Sequence, residues 1–278
     1  MIVAGLDVGG TTTGAVCLRD GKVEKTLSFP TLEPAASAER ALAELLRSVG
    51  GAVGDLQGIA ITGARSPQVP ERLLGADVHR VEEFQAIGTG GAWLVGLERA
   101  VVASMGTGTA LVGVDRGRVR HLGGSGVGGG TLLGLARRIL GTMDFESIAA
   151  AAGGGELKHV DLLLEDLRPE ALADLPPWAT VSNFGRLSGS PSRADDALGL
   201  INLVLQAIGV MAVLAARLQA VEDVVLVGRL TRLPQADAIF EGFRRLFALR
   251  FHIPAQAAFA TVIGAALQLL PLSARGGR

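Results

Sequence analysis

The chain has 278 residues, of which 49% are hydrophobic, and its 26 basic and 27 acidic residues nearly cancel. That much apolar material can build a substantial core, so a disordered or fibrous chain is excluded. No long block of one charge occurs, so the sequence gives no electrostatic reason to expect binding to nucleic acid or to a membrane. A small neutral molecule is the expected partner.

Cysteine usage and the first residues bear on the compartment. Cys17 is the only cysteine, which excludes an internal disulfide framework, and its apolar neighbours indicate a buried thiol. The residues after Met1 show no basic leader, apolar core and small-residue cleavage site, so we expect no secretory signal. Together these features predict a protein of the reducing cytoplasm.

The first predicted elements are two strands joined by a glycine-threonine tip. Ile2 to Leu6 is short and apolar, Gly9-Gly10-Thr11 interrupts it, and Gly14 to Leu18 resumes an apolar strand. The same pattern recurs as strand, tip and strand at Ala100 to Met105, Gly106 to Thr109 and Ala110 to Val114. The repeat indicates an internal duplication.

Strands and helices alternate along the rest of the chain. Two more strands are predicted at Gly58 to Thr62 and Val224 to Val227. Helical periodicity predicts helices at Ala35 to Val49, Glu83 to Val95, Thr131 to Leu140, Ala197 to Leu218 and Gln235 to Leu246. The alternation predicts an α/β fold of two lobes, residues 1–98 and 99–278, each built on a mixed sheet and separated by a central cleft.

Three segments need separate treatment. Ala197 to Ala216 carries no charge and is long enough to span a membrane, but Asn202 and Gln206 share one helical face, which favours a helix buried between two lobes. Gly153 to Ser192 is predicted to be an insertion of loops and one helix. Ser273 to Arg278 is predicted to be frayed.

Three glycine-rich turns that follow strands are candidates for binding phosphate. They contain Gly9, Gly10, Thr11, Thr12 and Thr13; Gly106, Thr107, Gly108 and Thr109; and Gly129, Gly130 and Thr131. Glycine lets main-chain N–H groups approach an anion, threonine hydroxyls add donors, and the third turn also opens a helix. One such turn alone is explained by tight-turn geometry, but two duplicated tips and a helix-opening run favour phosphate binding.

Asp7 lies at the end of the first strand, beneath the first tip. A carboxylate next to bound phosphates repels them unless a hard cation lies between, so Asp7 is a candidate Mg²⁺ ligand, directly or through water. The alternative is an aspartate that caps local N–H groups in a turn. The glycine spacing does not fit the dinucleotide-binding fingerprint, and the Gly-Lys-Ser/Thr end of a P-loop is missing.

Three of these motifs resemble those of one superfamily. Asp7-Val8-Gly9-Gly10-Thr11 and Met105-Gly106-Thr107-Gly108-Thr109 resemble the two phosphate motifs of the sugar-kinase, Hsp70 and actin superfamily, and Val225-Leu226-Val227-Gly228 resembles its adenosine motif. The resemblance implies a two-lobed, duplicated ribonuclease H-like fold, as in actin-like ATPases.

Four further motifs are similar to those of the type II pantothenate kinases within that superfamily. They are the run from Gly124 to Leu135, the run from Trp178 to Gly185, Glu83 followed by Gly90, and Val262 to Leu267. This likeness spans almost the whole chain. It implies phosphorylation of pantothenate by ATP with Mg²⁺, and a homodimer.

The resemblance also implies roles for individual residues. Glu83 matches the catalytic base, with Glu82 as its adjacent competitor; either can instead be an acid that interacts with a helix dipole. The glycines and threonines of the three turns bind ATP, together with Phe145, Gly228 and Arg229. By the same resemblance His121, Ser125 and Gly126 hold the substrate, and His121 can instead be an ordinary strand residue.

Two positions depart from the family pattern. The lysine that the family carries after the first phosphate motif is Gly14 here, which removes a cation beside the phosphates. The arginine before the glycine-rich signature is His121, which lacks a bidentate fork, and Arg120 points to the opposite face of a regular strand. Two alternatives therefore stay open: a kinase of the same fold for another small hydroxylated molecule, and an ATP-binding regulator without catalysis.

Overall fold

The computed structural model describes residues 1–167 and 175–271; the frayed end predicted at Ser273 to Arg278 lies outside the described residues. The first sheet contains β1 (Ile2–Val8), β2 (Thr12–Arg19), β3 (Lys22–Pro30), β4 (Ile59–Thr62), β5 (Arg72–Leu73) and β6 (Ala76–Arg80). Their spatial order is β3-β2-β1-β4-β6-β5. β1 is antiparallel to β2 and parallel to β4, so the sheet is mixed.

The later strands are β7 (Arg99–Met105), β8 (Thr109–Asp115), β9 (Arg118–Ser125), β10 (Leu162–Leu163), β11 (Thr180–Ser182), β12 (Asp223–Val227) and β13 (Arg250–His252). The second sheet has the order β13-β12-β7-β8-β9, while β10 and β11 form a separate two-stranded ribbon. β7 is antiparallel to β8 and parallel to β12, as β1 is to β2 and β4. The predicted duplication is therefore confirmed at the level of strand order.

The α-helices are α1 (Pro34–Ser48), α2 (Glu83–Val95), α3 (Gly129–Ile139), α4 (Phe145–Ala151), α5 (Arg193–Leu218), α6 (Ala236–Phe247) and α7 (Ala260–Leu267). One face of the first sheet packs on α1, and its other face packs on α7. The second sheet packs on α2 with one face and on α3, α5 and α6 with the other. The two-lobed α/β fold is as predicted, with α2 and α7 between the two sheets.

Glycine controls the contact between α2 and α7. A side chain on Gly90 would overlap the carbonyl oxygen of Ala260, and one on Gly264 would overlap that of Ala86. The two helices can therefore approach only with hydrogen at both positions. Because α7 also packs on β1 and α2 on β8 and β9, this contact ties the two sheets together at the base of the cleft.

The apolar helix α5 is predicted to lie between the lobes, and that placement is wrong. It lies on the far face of the second sheet, where Ile201, Leu205 and Ile208 are buried with strand and helix residues of the same lobe. By length and composition α5 passes for a membrane span, the one such helix in the described ranges, but most of that window is buried inside the fold. Asn202 and Gln206 lie on one face of α5 because both take part in a buried polar cluster.

The carboxylate of Asp161 lies at the centre of this polar cluster. It is completely buried and accepts hydrogen bonds from Asn202 Nδ2 at 2.8 Å and from the main-chain nitrogen of Phe184 at 2.9 Å. Asn183, which donates to Gln206 at 3.3 Å, belongs to the same cluster. These bonds dock the inserted segment on α5. Its described residues form 3₁₀ turns and the β10–β11 ribbon, with no α-helix among them.

Candidate active site

The carboxyl ends of the central strands bring the predicted motifs to one cavity between the lobes, of about 470 Å³. Seventeen of the twenty predicted site residues line it: Asp7, Gly9, Gly10, Thr11, Thr12, Glu83, Gly106, Thr107, Gly108, Thr109, His121, Ser125, Gly129, Gly130, Phe145, Gly228 and Arg229. Residues far apart in sequence therefore converge because the duplicated hairpins place both tips at the same edge.

The two hairpin tips face each other with main-chain donors available. A Cβ built on Gly10 would lie 3.8 Å from Thr107 Oγ1, so the tips are in near contact across the cleft. Within the part of the chain that the structure describes, the N–H groups of Gly10, Thr11, Thr107 and Gly108 make no hydrogen bond. Free N–H groups converging from two turns form a site for an anion such as a polyphosphate.

The third glycine turn supports the second tip. The main-chain nitrogens of Gly129 and Gly130 donate to the carbonyl oxygens of Gly106 and Thr107, each at 2.8 Å. A Cβ on Gly128 would lie 2.7 Å from the Thr107 oxygen, so only glycine permits this approach. These two N–H groups are thus occupied, and the turn holds the tip in place while lining the cavity.

Three predicted site residues do not line the cavity. Thr13 is fully buried, and its hydroxyl lies 2.8 Å from that of Thr31. Thr131 caps α3: its hydroxyl donates to the carbonyl oxygen of Gly126 at 2.9 Å and accepts from the nitrogen of Gly128. Their side chains stabilise the turns in this structure, and Gly126 contributes its carbonyl group to the same cap.

Asp7 and Glu83 are the two acidic side chains of the cleft, and both have raised pKa values. Burial, with a smaller contribution from the charge of Glu83, raises the pKa of Asp7 from 3.8 to about 7. Burial, and then the charge of Glu82, raises the pKa of Glu83. Neither carboxylate has a hydrogen-bond or ion-pair partner among the described residues. Unpartnered carboxylates with raised pKa values in a cleft are typical of functional sites.

The two adjacent glutamates differ in position. Glu82 is the N-cap of α2 and accepts a hydrogen bond from the nitrogen of Gln85 at 2.7 Å, so its carboxylate is engaged. Glu83 is the first residue of α2, is half-buried and lines the cavity. The structure thus gives the capping role to Glu82 and leaves Glu83 free to act on a ligand.

The surroundings of Asp7 fit a hard cation. Asp7 pairs with Gly14 on β2 and with Thr62 on β4, and Thr62 Oγ1 is buried without a hydrogen-bond partner in the described ranges. Mg²⁺ bound together with a nucleotide needs one or two carboxylates, and the phosphates and water supply the remaining ligands. No cluster of three His, Cys, Asp or Glu side chains suited to a metal occurs among the described residues, so a dedicated protein cage is not the arrangement here.

Gly14 lies beside Asp7, and a Cβ fits at this position. A Cβ built at Gly14 would lie 3.9 Å from Asp7 Cβ and 3.8 Å from Val262, both ordinary contacts. A side chain at this position would therefore start next to Asp7. Among the described lining residues Arg229 is the one arginine or lysine, so the cleft contains little fixed positive charge.

His121 lies on β9 and stacks flat on Phe84, the residue after Glu83. The ring centroids are 3.9 Å apart and the planes differ by 6°. Arg120 points away, as predicted: its Nη2 donates to Gln219 Oε1 at 3.3 Å, at the C-terminal end of α5. Arg120 therefore cannot take the place of His121 at the cavity wall.

Phe145 and Arg229 form a cation–π pair in the cavity. Phe145 begins α4 and is almost completely buried, and the guanidinium carbon of Arg229 lies 5.0 Å from the centre of its ring. Leu133 and Leu230 line the cavity as well. A nucleotide base can stack against a planar guanidinium or an aromatic ring.

The apolar part of the cavity lining was not predicted from the sequence. Phe84, Ile87, Leu133 and Leu230 contribute to the cavity, and each belongs to an ordinary apolar position of a predicted helix or turn. The position of Phe84 directly after the predicted catalytic base Glu83 was the one sequence feature that could have indicated a place in the cavity. The other three carry no chemistry that separates them from core residues.

The two sheets and the cleft between them form the two-lobed α/β fold of actin-like ATPases. Similar solved structures include the activator of the 2-hydroxyisocaproyl-CoA dehydratase from Clostridium difficile with bound ADPNP (TM-score 0.68, 18% identity, 97% of this chain and 94% of that one). Another is a ROK family glucokinase from Streptomyces griseus in complex with glucose and AMPPNP (TM-score 0.57, 16% identity, 96% and 98%). At these identities the likeness shows the fold.

A family model narrows the assignment. The Fumble model matches residues 100–238, half of the chain, and the protein belongs to this family, which is that of the type II pantothenate kinases. No curated protein matches the sequence. The family assignment agrees with the resemblance found in the sequence motifs.

Proposed function

We propose that the protein is a pantothenate kinase, which transfers the γ-phosphate of ATP to pantothenate and forms 4′-phosphopantothenate, the first step of coenzyme A biosynthesis. The observation that carries the proposal is the free carboxylate of Glu83 in the same cavity as two facing glycine-threonine tips. Membership of the Fumble family supports both the phosphotransferase class and the acceptor. The cytoplasm is the proposed compartment and a homodimer the proposed assembly.

The hairpin tips and the Phe145–Arg229 pair bind ATP in this proposal. Free N–H groups of Gly10, Thr11, Thr107 and Gly108 donate to phosphate oxygens, and the base stacks next to Arg229. Asp7 would hold Mg²⁺, with Thr62 beside it. The bound ion neutralises negative charge on the phosphates, and the protein side chains position the reactants.

Glu83 accepts the proton of the attacking hydroxyl. As the oxygen of the acceptor forms its bond to the γ-phosphorus, the bond from that phosphorus to the β,γ-bridging oxygen breaks and ADP leaves. The proton passes to the Glu83 carboxylate, whose raised pKa makes it a stronger base than an exposed glutamate. Ser125 and His121, on the same strand, contact the acceptor.

ADP release tests this proposal. Purified protein with Mg²⁺ and ATP is assayed against pantothenate, pantetheine, a set of sugars and no acceptor. Release that depends on pantothenate, with a phosphorylated product identified by mass, is the expected result. If no member of the panel raises the rate of ADP release above the acceptor-free rate, kinase activity on these acceptors is refuted.

Two specific positions favour a second candidate, a kinase of the same fold for another small hydroxylated metabolite. His121 replaces the arginine of the family pattern, and Gly14 replaces the lysine. The same glycine favours a regulator that binds ATP without catalysis, whereas the unpartnered carboxylate of Glu83 argues against it. The panel separates these candidates. Activity on a different acceptor would support the second candidate, and ATP binding without any ADP release would support the regulator.

A further inference from the structure

We propose that Phe84 is a positioning residue for the acceptor: it fixes the ring of His121 at the cavity wall, and the two rings together determine acceptor affinity. This inference rests on the proposed function. It assigns a role to Phe84, which no sequence motif identified.

The geometry of the pair supports the role. The rings are nearly parallel, 3.9 Å apart, and both line the cavity beside Glu83. His121 is exposed and Phe84 half-buried, so the imidazole lies on a platform that belongs to the fold. An exposed histidine without such a platform samples several rotamers, and ordering it on ligand binding costs free energy.

The platform itself is held rigidly. Phe84 is the second residue of α2, whose Gly88 lies against Val119 of β9 and Val112 of β8 so closely that a Cβ there would be 2.7 Å from the Val119 side chain. On its other side α2 is packed on α7. The helix therefore has no room to shift, and the Phe84 ring keeps a constant position relative to β9.

His121 has the chemistry to contact an acceptor. Neither imidazole nitrogen makes a hydrogen bond in the described part of the chain, and the residue lines the same cavity as Glu83 and Ser125. Leu122, next to His121, is the bulged residue of β9, because Leu111 and Val112 of β8 pair with Gly123 and His121. The stack with Phe84 therefore orients this ring.

A double-mutant cycle on the intact protein tests the proposal. The variants are Phe84→Leu, His121→Ala, the double variant and Phe84→Tyr, and KM for ATP and for the active acceptor of the panel is measured for each. Phe84→Leu should raise the acceptor KM about three- to tenfold, with little change in the KM for ATP. Phe84→Tyr keeps the ring and should restore a KM within about twofold of the wild type.

The double variant distinguishes positioning from general packing. If Phe84 acts through His121, then Phe84→Leu should change the acceptor KM by less than about twofold when His121 is already alanine. Additive effects, or equal rises in both KM values, would overturn the inference. Phe29→Leu is the matched control, because Phe29 is also half-buried and has a planar group over its ring, the guanidinium of Arg40, but lies away from the cavity.

The proposed function fails in a different way. If no acceptor of the panel increases ADP release by the wild-type protein, the proposed function is refuted, and this inference is refuted with it. An active wild type whose cycle is additive refutes the role of Phe84 alone. Thermal unfolding of every variant identifies a loss of fold, and Phe84→Tyr then decides the outcome if Phe84→Leu is unfolded.

Discussion

Replacing Asp7 by asparagine is expected to make the ligand-free protein more stable at neutral pH while it removes the proposed Mg²⁺ ligand. The native pKa of Asp7 is about 7, against an ordinary value of 3.8. The folded state therefore binds more protons than the unfolded state between about pH 4 and pH 7, and the stability of the wild type falls as pH rises through that window. Asparagine does not ionise and escapes this loss.

The magnitude follows from the two pKa values. Their difference corresponds to about 4 kcal/mol, at about 1.4 kcal/mol for each tenfold change in proton affinity. Because the cleft is open to water, we expect about half of this, roughly 2 kcal/mol, above pH 7. Below pH 4 both states are protonated and the difference between variant and wild type should vanish.

Urea unfolding with a chelator present, at a series of pH values from 4 to 8, measures the difference. Asp77→Asn is the control: Asp77 is exposed and bonded to Arg72, and its loss should change the free energy of unfolding by less than about 1 kcal/mol at every pH. A gain for Asp7→Asn that is the same at pH 4 and pH 8, or a loss of stability at pH 8, would refute the reasoning.

Four other outcomes are expected. Mg-ATP at about a hundred times its dissociation constant should stabilise the protein by roughly 2.7 kcal/mol in thermal unfolding, and an unchanged midpoint would contradict ATP binding. Glu83→Gln should lower kcat at least about a hundredfold with ATP binding retained, whereas Glu82→Gln should do far less; equal small effects would misplace the base. His121→Arg should lower the KM for pantothenate about five- to thirtyfold, because a guanidinium restores charge-assisted bonds; no response to pantothenate in either protein would point to another acceptor. Gly90→Ala should cost about 3 kcal/mol or more in urea unfolding, since its Cβ overlaps a backbone carbonyl, while Gly134→Ala, in open space, should be neutral or slightly stabilising.

Local patterns in the sequence were sufficient for the elements that carry strong signals. α2 begins at Glu83 and ends at Val95 as predicted, and the two hairpins with their glycine-threonine tips lie where the apolar runs and glycines placed them. Short segments of weak pattern were missed: β3 is an edge strand of its sheet with many exposed residues, and α4 and α7 have fewer than nine residues each. In such segments the tertiary environment outweighs local preference.

Sequence alone therefore determined which residues have the chemistry for phosphate, a cation and a proton, because glycine, threonine and carboxylate properties are local. Only the tertiary structure decided which of them meet. It placed Gly14 beside Asp7, engaged Glu82 at a helix cap, stacked His121 on Phe84 and moved α5 to the outer face of its sheet. These contacts join residues that are distant in the chain, so their existence depends on strand order, register and helix packing, which no local pattern specifies.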